Sequence, residues 1–244
     1  MKNYRKLLAG SLALLFAVGI TGCSNTSGGG TGVANEDGLV VLNVASTGQP
    51  VSFDPADANL VVNEYTEYDC YDTLLDFNQD GTDVVPALAE SWEQVDDLTY
   101  TYKIREGVKF SDGSDLTMDD VLYSLNRVRE DAYGMSYLFE HVDSFEVDEK
   151  TRTLTVHLTQ PDSTWKYVPA TTPCQILKKS VVEAEGDAYG TNEGSVVGTG
   201  PYKFVSWAAD SQIVLEKNEY WWGGADNLAI DKINFYVMKD ASTI

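Results

Sequence analysis

The chain has 244 residues, 43% hydrophobic and 23% charged, an ordinary balance for a globular protein with one large or two small domains. Its 38 acidic and 17 basic side chains leave a net charge of −21. A surface of that sign repels phosphate backbones and anionic headgroups, which argues against nucleic acid as a partner.

Met1–Lys6 is short and positive, and Leu7–Ile20 is an apolar run of 14 residues broken only by Gly10, Ser11 and Gly19. That length fits the apolar region of a signal peptide and is short for a bilayer span. The run ends Ile20-Thr21-Gly22-Cys23, which resembles the lipobox of bacterial lipoproteins. The resemblance implies a signal peptide over residues 1–22, cleavage before Cys23 and acylation of that residue, which two chains would anchor to a membrane. An ordinary secretory signal with a chance cysteine is the alternative. Ser24–Asp37, with Gly28-Gly29-Gly30 at its centre, has no apolar period, so residues 23–38 read as a lipidated cysteine and flexible linker.

Leu39–Ala45 reads as a buried first strand ending near Gly48 and Pro50. Phe53-Asp54-Pro55-Ala56 is a turn, because Pro holds the residue before it extended. Asn63–Leu75 carries a helical pattern with Tyr68, Tyr71, Leu74 and Leu75. Asn78–Asp83 has oxygen side chains around Gly81, like the start of a calcium loop, but lacks the distant bidentate Glu; a hairpin turn is the reading preferred. Pro86 opens a short amphipathic turn with Leu88 and Trp92 four apart, and Tyr100–Arg105 alternates as a half-buried strand does. Asp112-Gly113 is a turn. Thr117 with Asp120 makes a capping box with Asp in place of the usual Glu or Gln, and Val121, Leu122, Leu125 and Val128 stripe the helix behind it.

Farther on, Tyr133–Tyr137 is an aromatic loop. Phe145–Val147 and Leu154–Leu158 make a hairpin, Pro161–Val168 and Ile176–Glu185 short helices, and Gly186–Gly194 a polar crossing. In Val197–Phe204, Gly198 and Gly200 permit positive φ or close backbone approach, and no Gly-Lys-Ser/Thr follows that would suit a phosphate. Ile213 and Leu215, then Ile230, Ile233, Phe235 and Val237, mark two final strands. Cys70 and Cys174 read as unrelated core thiols, with a disulfide as the alternative. Of the five tryptophans, Trp92 and Trp221 read as core.

Several of these stretches resemble the signatures of the peptide-binding extracytoplasmic proteins of ABC importers, solute-binding family five. Pro86–Trp92 is similar to its Pro-x-Leu-Ala-x-Ser-Trp start, Tyr100–Phe110 to its Tyr-x-Phe-x-Leu-Arg-x-Gly-Val-x-Phe strand, and Asp112–Val121 to its Asp-Gly-x-x-Leu-Thr-x-x-Asp-Val helix start. Tyr102 and Ile104 replace the usual Phe and Leu. Phe53-Asp54-Pro55, Val197–Phe204 and Asn218–Trp221 match further family motifs, so the likeness runs from about Leu39 to Ser242.

That resemblance implies an α/β fold with mixed sheets, of the class II periplasmic-binding-protein kind. Residues 39–72 and 190–244 would form an incomplete first lobe, 73–189 an inserted subdomain, and the opposing lobe would be missing. Members are about twice as long and close two lobes on a peptide like a hinged trap, so the chain is expected to be a truncated form that binds weakly alone. Asn59, Leu60 and Val61 fall where members lay backbone along the peptide, and Tyr133 and Gly134 where an aromatic walls the pocket. The implied partners are a peptide ligand, an ABC permease with its ATPase subunits, and the membrane through Cys23, in an extracytoplasmic location. A nickel chelate, haem or oligosaccharide is the alternative ligand, and a non-binding structural lipoprotein fragment the alternative role. Catalysis is not expected: His141 and His157 are the only histidines and lack a metal-ligand partner four residues on, Gly-x-Ser-x-Gly is absent, and no cofactor motif is present.

Overall fold

Tyr100, Tyr102 and Ile104 are buried while Thr99, Thr101 and Lys103 are half-exposed, so the alternation read from the sequence is a strand with one wet face. In the computed structural model, which describes residues 33–34, 38–57, 66–67, 69–130 and 135–238, this strand is β6 (Thr99–Ile104). Numbered in chain order, the other strands are β1 (Val33–Ala34), β2 (Val40–Ser46), β3 (Leu75–Phe77), β4 (Val84–Pro86), β5 (Ala89–Asp96), β7 (Val142–Asp148), β8 (Thr153–Leu158), β9 (Tyr202–Ala208), β10 (Gln212–Lys217) and β11 (Lys232–Val237). The helices are α1 (Met118–Glu130) and α2 (Lys179–Glu185).

One sheet runs β5-β6-β8-β7, antiparallel throughout. Its register sets Tyr100 opposite Val156 and Tyr102 opposite Leu154, so the buried residues of the two central strands share a face. Against that core packs α1, through Met118, Val121, Leu125 and Val128; Leu122 is only half-buried. Its start is the expected capping box: Asp120 N–H donates to Thr117 Oγ1 at 3.1 Å, and Thr117 N–H to Asp120 Oδ2 at 3.0 Å. Asp serves where Glu is usual, and its second oxygen accepts Lys179 N–H at 3.0 Å, tying the helix start to α2. Trp165, 1% exposed, fills the same core edge-on to Phe139.

The other large sheet runs β1-β2-β11-β10-β9. Only β2 and β11 are parallel, with Leu42 beside Ile233 and Val44 beside Phe235. Ile213, Leu215 and Ile233 enter a second core with Phe53, Cys70, Tyr71, Leu177, Val182, Tyr189 and Tyr202. Phe53 meets Phe204 and Trp207 edge to face, at 5.2 and 5.8 Å between centroids.

Gly198 and Gly200 join the two cores. Neither adopts positive φ; both are needed for close approach. A Cβ on Gly198 would stand 2.1 Å from the Cys70 carbonyl oxygen, and one on Gly200 would stand 2.5 Å from the Cys70 carbonyl carbon. Gly200 N–H donates to Cys70 O at 3.0 Å, and Ser111 N–H to Gly198 O at 2.8 Å. Asn218, fully buried, donates its amide to Gly200 O at 2.8 Å.

Four readings change. Ala87–Trp92 is no helical turn, since Ala89–Asp96 is strand β5; a spacing of four places two side chains on one face in a helix or a strand alike. The helix expected to reach Leu75 ends sooner, because Thr73 O and Leu74 O accept N–H groups from Ala87, Leu88 and Ala89. Residues 161–168 contain a 3-10 helix at Trp165–Ala170, with Pro169 inside it, and the following α-helix starts only at Lys179. Strand β2 is half-exposed, because one of its faces borders an apolar cavity of about 470 Å³ lined by Leu42, Val44, Ile230 and Phe235. The segment Asn78–Asp83 is the expected hairpin turn: the Asn78 side-chain oxygen accepts the Thr82 and Asp83 N–H groups, at 2.9 and 3.2 Å. Cys70 and Cys174 are both buried and free.

Candidate ligand-facing surface

Asn59, Leu60, Val61, Tyr133, Gly134 and Cys23 all lie outside the described residues. What the structure shows is the frame from which the two segments expected to meet a ligand leave, and it is built around Asp54. Phe53 N–H donates to Gly190 O at 2.7 Å, and Asp54 N–H to Ser52 Oγ at 2.9 Å. The Asp54 carboxylate then accepts Ala56 N–H at 3.0 Å, which starts the 3-10 turn Pro55–Asp57.

The same carboxylate takes both terminal nitrogens of Arg127, each at 2.6 Å. The two side chains are 8% and 14% exposed, so this is a buried bidentate pair. Asp54 follows Phe53 of the second core, whereas Arg127 sits on α1, which packs into the first. Next to it the Tyr71 and Tyr189 hydroxyls are 2.8 Å apart in the interior, where burial raises both phenols above their usual range. Gly190 has φ of +72°, and a Cβ there would stand 2.5 Å from Asp54 N. Any side chain would therefore push the Asp54 backbone aside. A cavity of about 390 Å³ opens beside the pair, lined by Val51, Ser52, Tyr123, Arg127, Tyr189 and Thr191.

A second polar junction lies where helical residues 69–70 give way to β3. Trp222 Nε1–H donates to Asp72 Oδ2 at 2.9 Å, and the Arg105 guanidinium sits 4.5 Å over the Trp222 ring. Burial pushes the Asp72 carboxyl up to about 7 against the pull of that hydrogen bond, and burial does the same to Asp69 at the rim of the apolar cavity.

Chemically, the described surface offers hydrogen bonds, a fixed ion pair and apolar walls. Both thiols are held above their usual range by burial, Cys174 at about 12. Among the described residues no cluster of three or more His, Cys, Asp or Glu is placed to hold a metal, and no helix is long and apolar enough to cross a membrane. Sequence reasoning missed Arg127, Tyr189 and Gly190. The available signal was Asp54 itself, since an acidic residue between buried Phe53 and a turn needs a cationic partner.

Residues 83–244 match the family described as bacterial extracellular solute-binding proteins, family 5, middle. The dipeptide-binding protein DppE of Bacillus subtilis is 28% identical over all of this chain and 48% of its own length. The dipeptide-binding protein of Escherichia coli is 31% identical over 82% of this chain and 41% of its own. Among solved structures, the periplasmic binding protein DppA of Helicobacter pylori, in complex with the peptide STSA, superposes with a TM-score of 0.71 at 28% identity. That match covers 83% of this chain and 43% of that one. The chain thus spans about half the length of the curated relatives it matches. The shared mixed-sheet fold and the matched stretch, most of the described molecule, place the chain in the family 5 bacterial extracellular solute-binding proteins.

Proposed function

We propose that the chain belongs to an extracytoplasmic receptor that captures peptides and hands them to an ABC permease driven by its ATPase subunits. The observation that carries this is the likeness to dipeptide-binding relatives, together with superposition on a binding protein that holds a peptide. The role is binding without catalysis. Asn59, Leu60 and Val61 would lend backbone groups to the peptide, a mode that tolerates many side chains, and Tyr133 and Gly134 would wall the pocket. Cys23 would carry the lipid that keeps the receptor at the membrane. Residues 39–72 with 190–244 would form one lobe and 73–189 a subdomain inserted in it. The two cores support that division, although Leu177, Val182 and Tyr189 pack with the lobe.

Thermal unfolding tests the ligand class. A ligand that favours the folded state raises its stability by about 2.7 kcal/mol at a hundred times its Kd. Di- to pentapeptides, haem, a nickel chelate and oligosaccharides are titrated against residues 24–244 and against the longest reading frame that contains them. A rise in Tm with peptides alone supports the reading. A rise only with one of the other solutes overturns it.

A further inference from the structure

We propose that the apolar cavity beside β2 and β11 is a binding site for a small organic cation, a primary ammonium group carried on an apolar body, with Asp69 as its counterion. The inference is independent of the proposed function and of the segments assigned to the peptide. The cavity holds about 470 Å³, within the usual range of about 300–1,000 Å³ for small-molecule sites. Leu42 and Val44 of β2, Ile233 and Phe235 of β11, and Ile230 make its apolar wall, and Asp69 stands at its rim.

What selects a cation is the state of that acid. Asp69 is half-buried, and among the described residues its carboxylate accepts no hydrogen bond and meets no cation. The hydroxyls of the wall do not serve it: Ser46 donates to Gly48 O at 2.7 Å and Tyr202 to Ile230 O at 3.2 Å. The lysines of the adjoining strands are engaged elsewhere, Lys203 with Glu219, Lys217 with Asp231 and Lys232 with Glu216. Burial without a partner holds the acid up at about 7, and its charge reaches the Tyr202 phenol, which lines the same cavity. An arriving ammonium supplies both donor and charge, while its apolar body covers the half-exposed face of β2. An anion would meet an uncompensated carboxylate, and a neutral apolar solute would leave the acid as unmet as before.

Isothermal titration tests this with hexylamine, hexanol and hexanoate at about pH 8, where Asp69 is ionised. Residues 24–244, and the longest reading frame that contains them, are each expected to bind hexylamine about tenfold more tightly than hexanol, with no uptake of hexanoate. Asp69→Asn keeps the shape and removes the charge, and should bring hexylamine down to the level of hexanol. Because it deletes a charge without a partner, its Tm at that pH is expected to rise, which separates lost binding from lost folding. Val44→Phe crowds the apolar wall and should weaken both solutes about tenfold. Equal affinity for hexylamine and hexanol, or hexylamine binding that Asp69→Asn leaves unchanged, overturns the proposal. Absence of saturable hexylamine binding in the longest frame, whether further chain or a second copy covers the face, overturns it as well.

Discussion

Replacing Asp72 by Asn is expected to flatten the dependence of stability on pH. Burial raises the Asp72 carboxyl from 3.8 to about 7, so the fold prefers the protonated acid. The stability this group contributes is fully present below the unfolded value near 4. It is lost as pH rises through about 7, above which both states are ionised and the loss is complete. Three units at about 1.4 kcal/mol each set a ceiling of about 4 kcal/mol. Asp72 keeps some contact with solvent, which screens part of the penalty, so about 2 kcal/mol is the expected swing. Asn can still accept Trp222 Nε1–H, which keeps the junction in place and removes only the charge. Urea unfolding followed by circular dichroism, at about pH 4.5 and about pH 8, measures the difference between variant and wild type. Asp69 is raised in the same direction in both proteins and drops out of that difference. The variant should gain about 2 kcal/mol on wild type between the two pH values. A gain equal at both would refute the reasoning, because an acid protonated in the fold at pH 4.5 and ionised at pH 8 cannot contribute equally to each.

Gly198→Ala should cost about 3 kcal/mol, because its methyl would strike the Cys70 carbonyl. Gly81→Ala, with φ of +65° but open space around it, should cost only about 1 kcal/mol. Chemical denaturation ranks the two, and the reverse order would show that the Gly198 strand entry yields freely. In a chain beginning at Ser24, neither Cys70 nor Cys174 should react with a thiol reagent near pH 8 until denaturant is added, given their burial and raised pKa. Rapid labelling of the folded chain would mean that its cores open far more often than their packing implies.

Patterns local in sequence were the legible ones. The capping box at Thr117 and Asp120, the alternation of β6 and the hairpin at Asn78 each draw on residues a few positions apart. Gly198 and Gly200 read equally as sites of positive φ or of close approach, because what they approach, the Cys70 backbone, is distant in the chain. The Asp54–Arg127 pair was invisible for the same reason: its members are 73 residues apart, and an arginine near a helix end reads as solvated. Trp92 misled because a period of four suits two secondary structures. Strand β2 misled because an apolar run reports what a strand could bury, and here one face borders an open cavity.

The parallel pairing of β2 with β11 bears on the order of folding. Val40 and Asp231, bonded at the start of this ladder, are 191 residues apart, whereas the β5–β8 sheet and α1 all fall between residues 89 and 158. Closing a long loop costs entropy before any contact repays it, so the compact middle of the chain is set to fold first. The five-stranded sheet must wait for its last strand. Until β11 emerges, Leu42 and Val44 of β2 lack their parallel neighbours and remain sticky, and a chain stalled before Lys232 would present an unpaired strand edge to any other chain nearby.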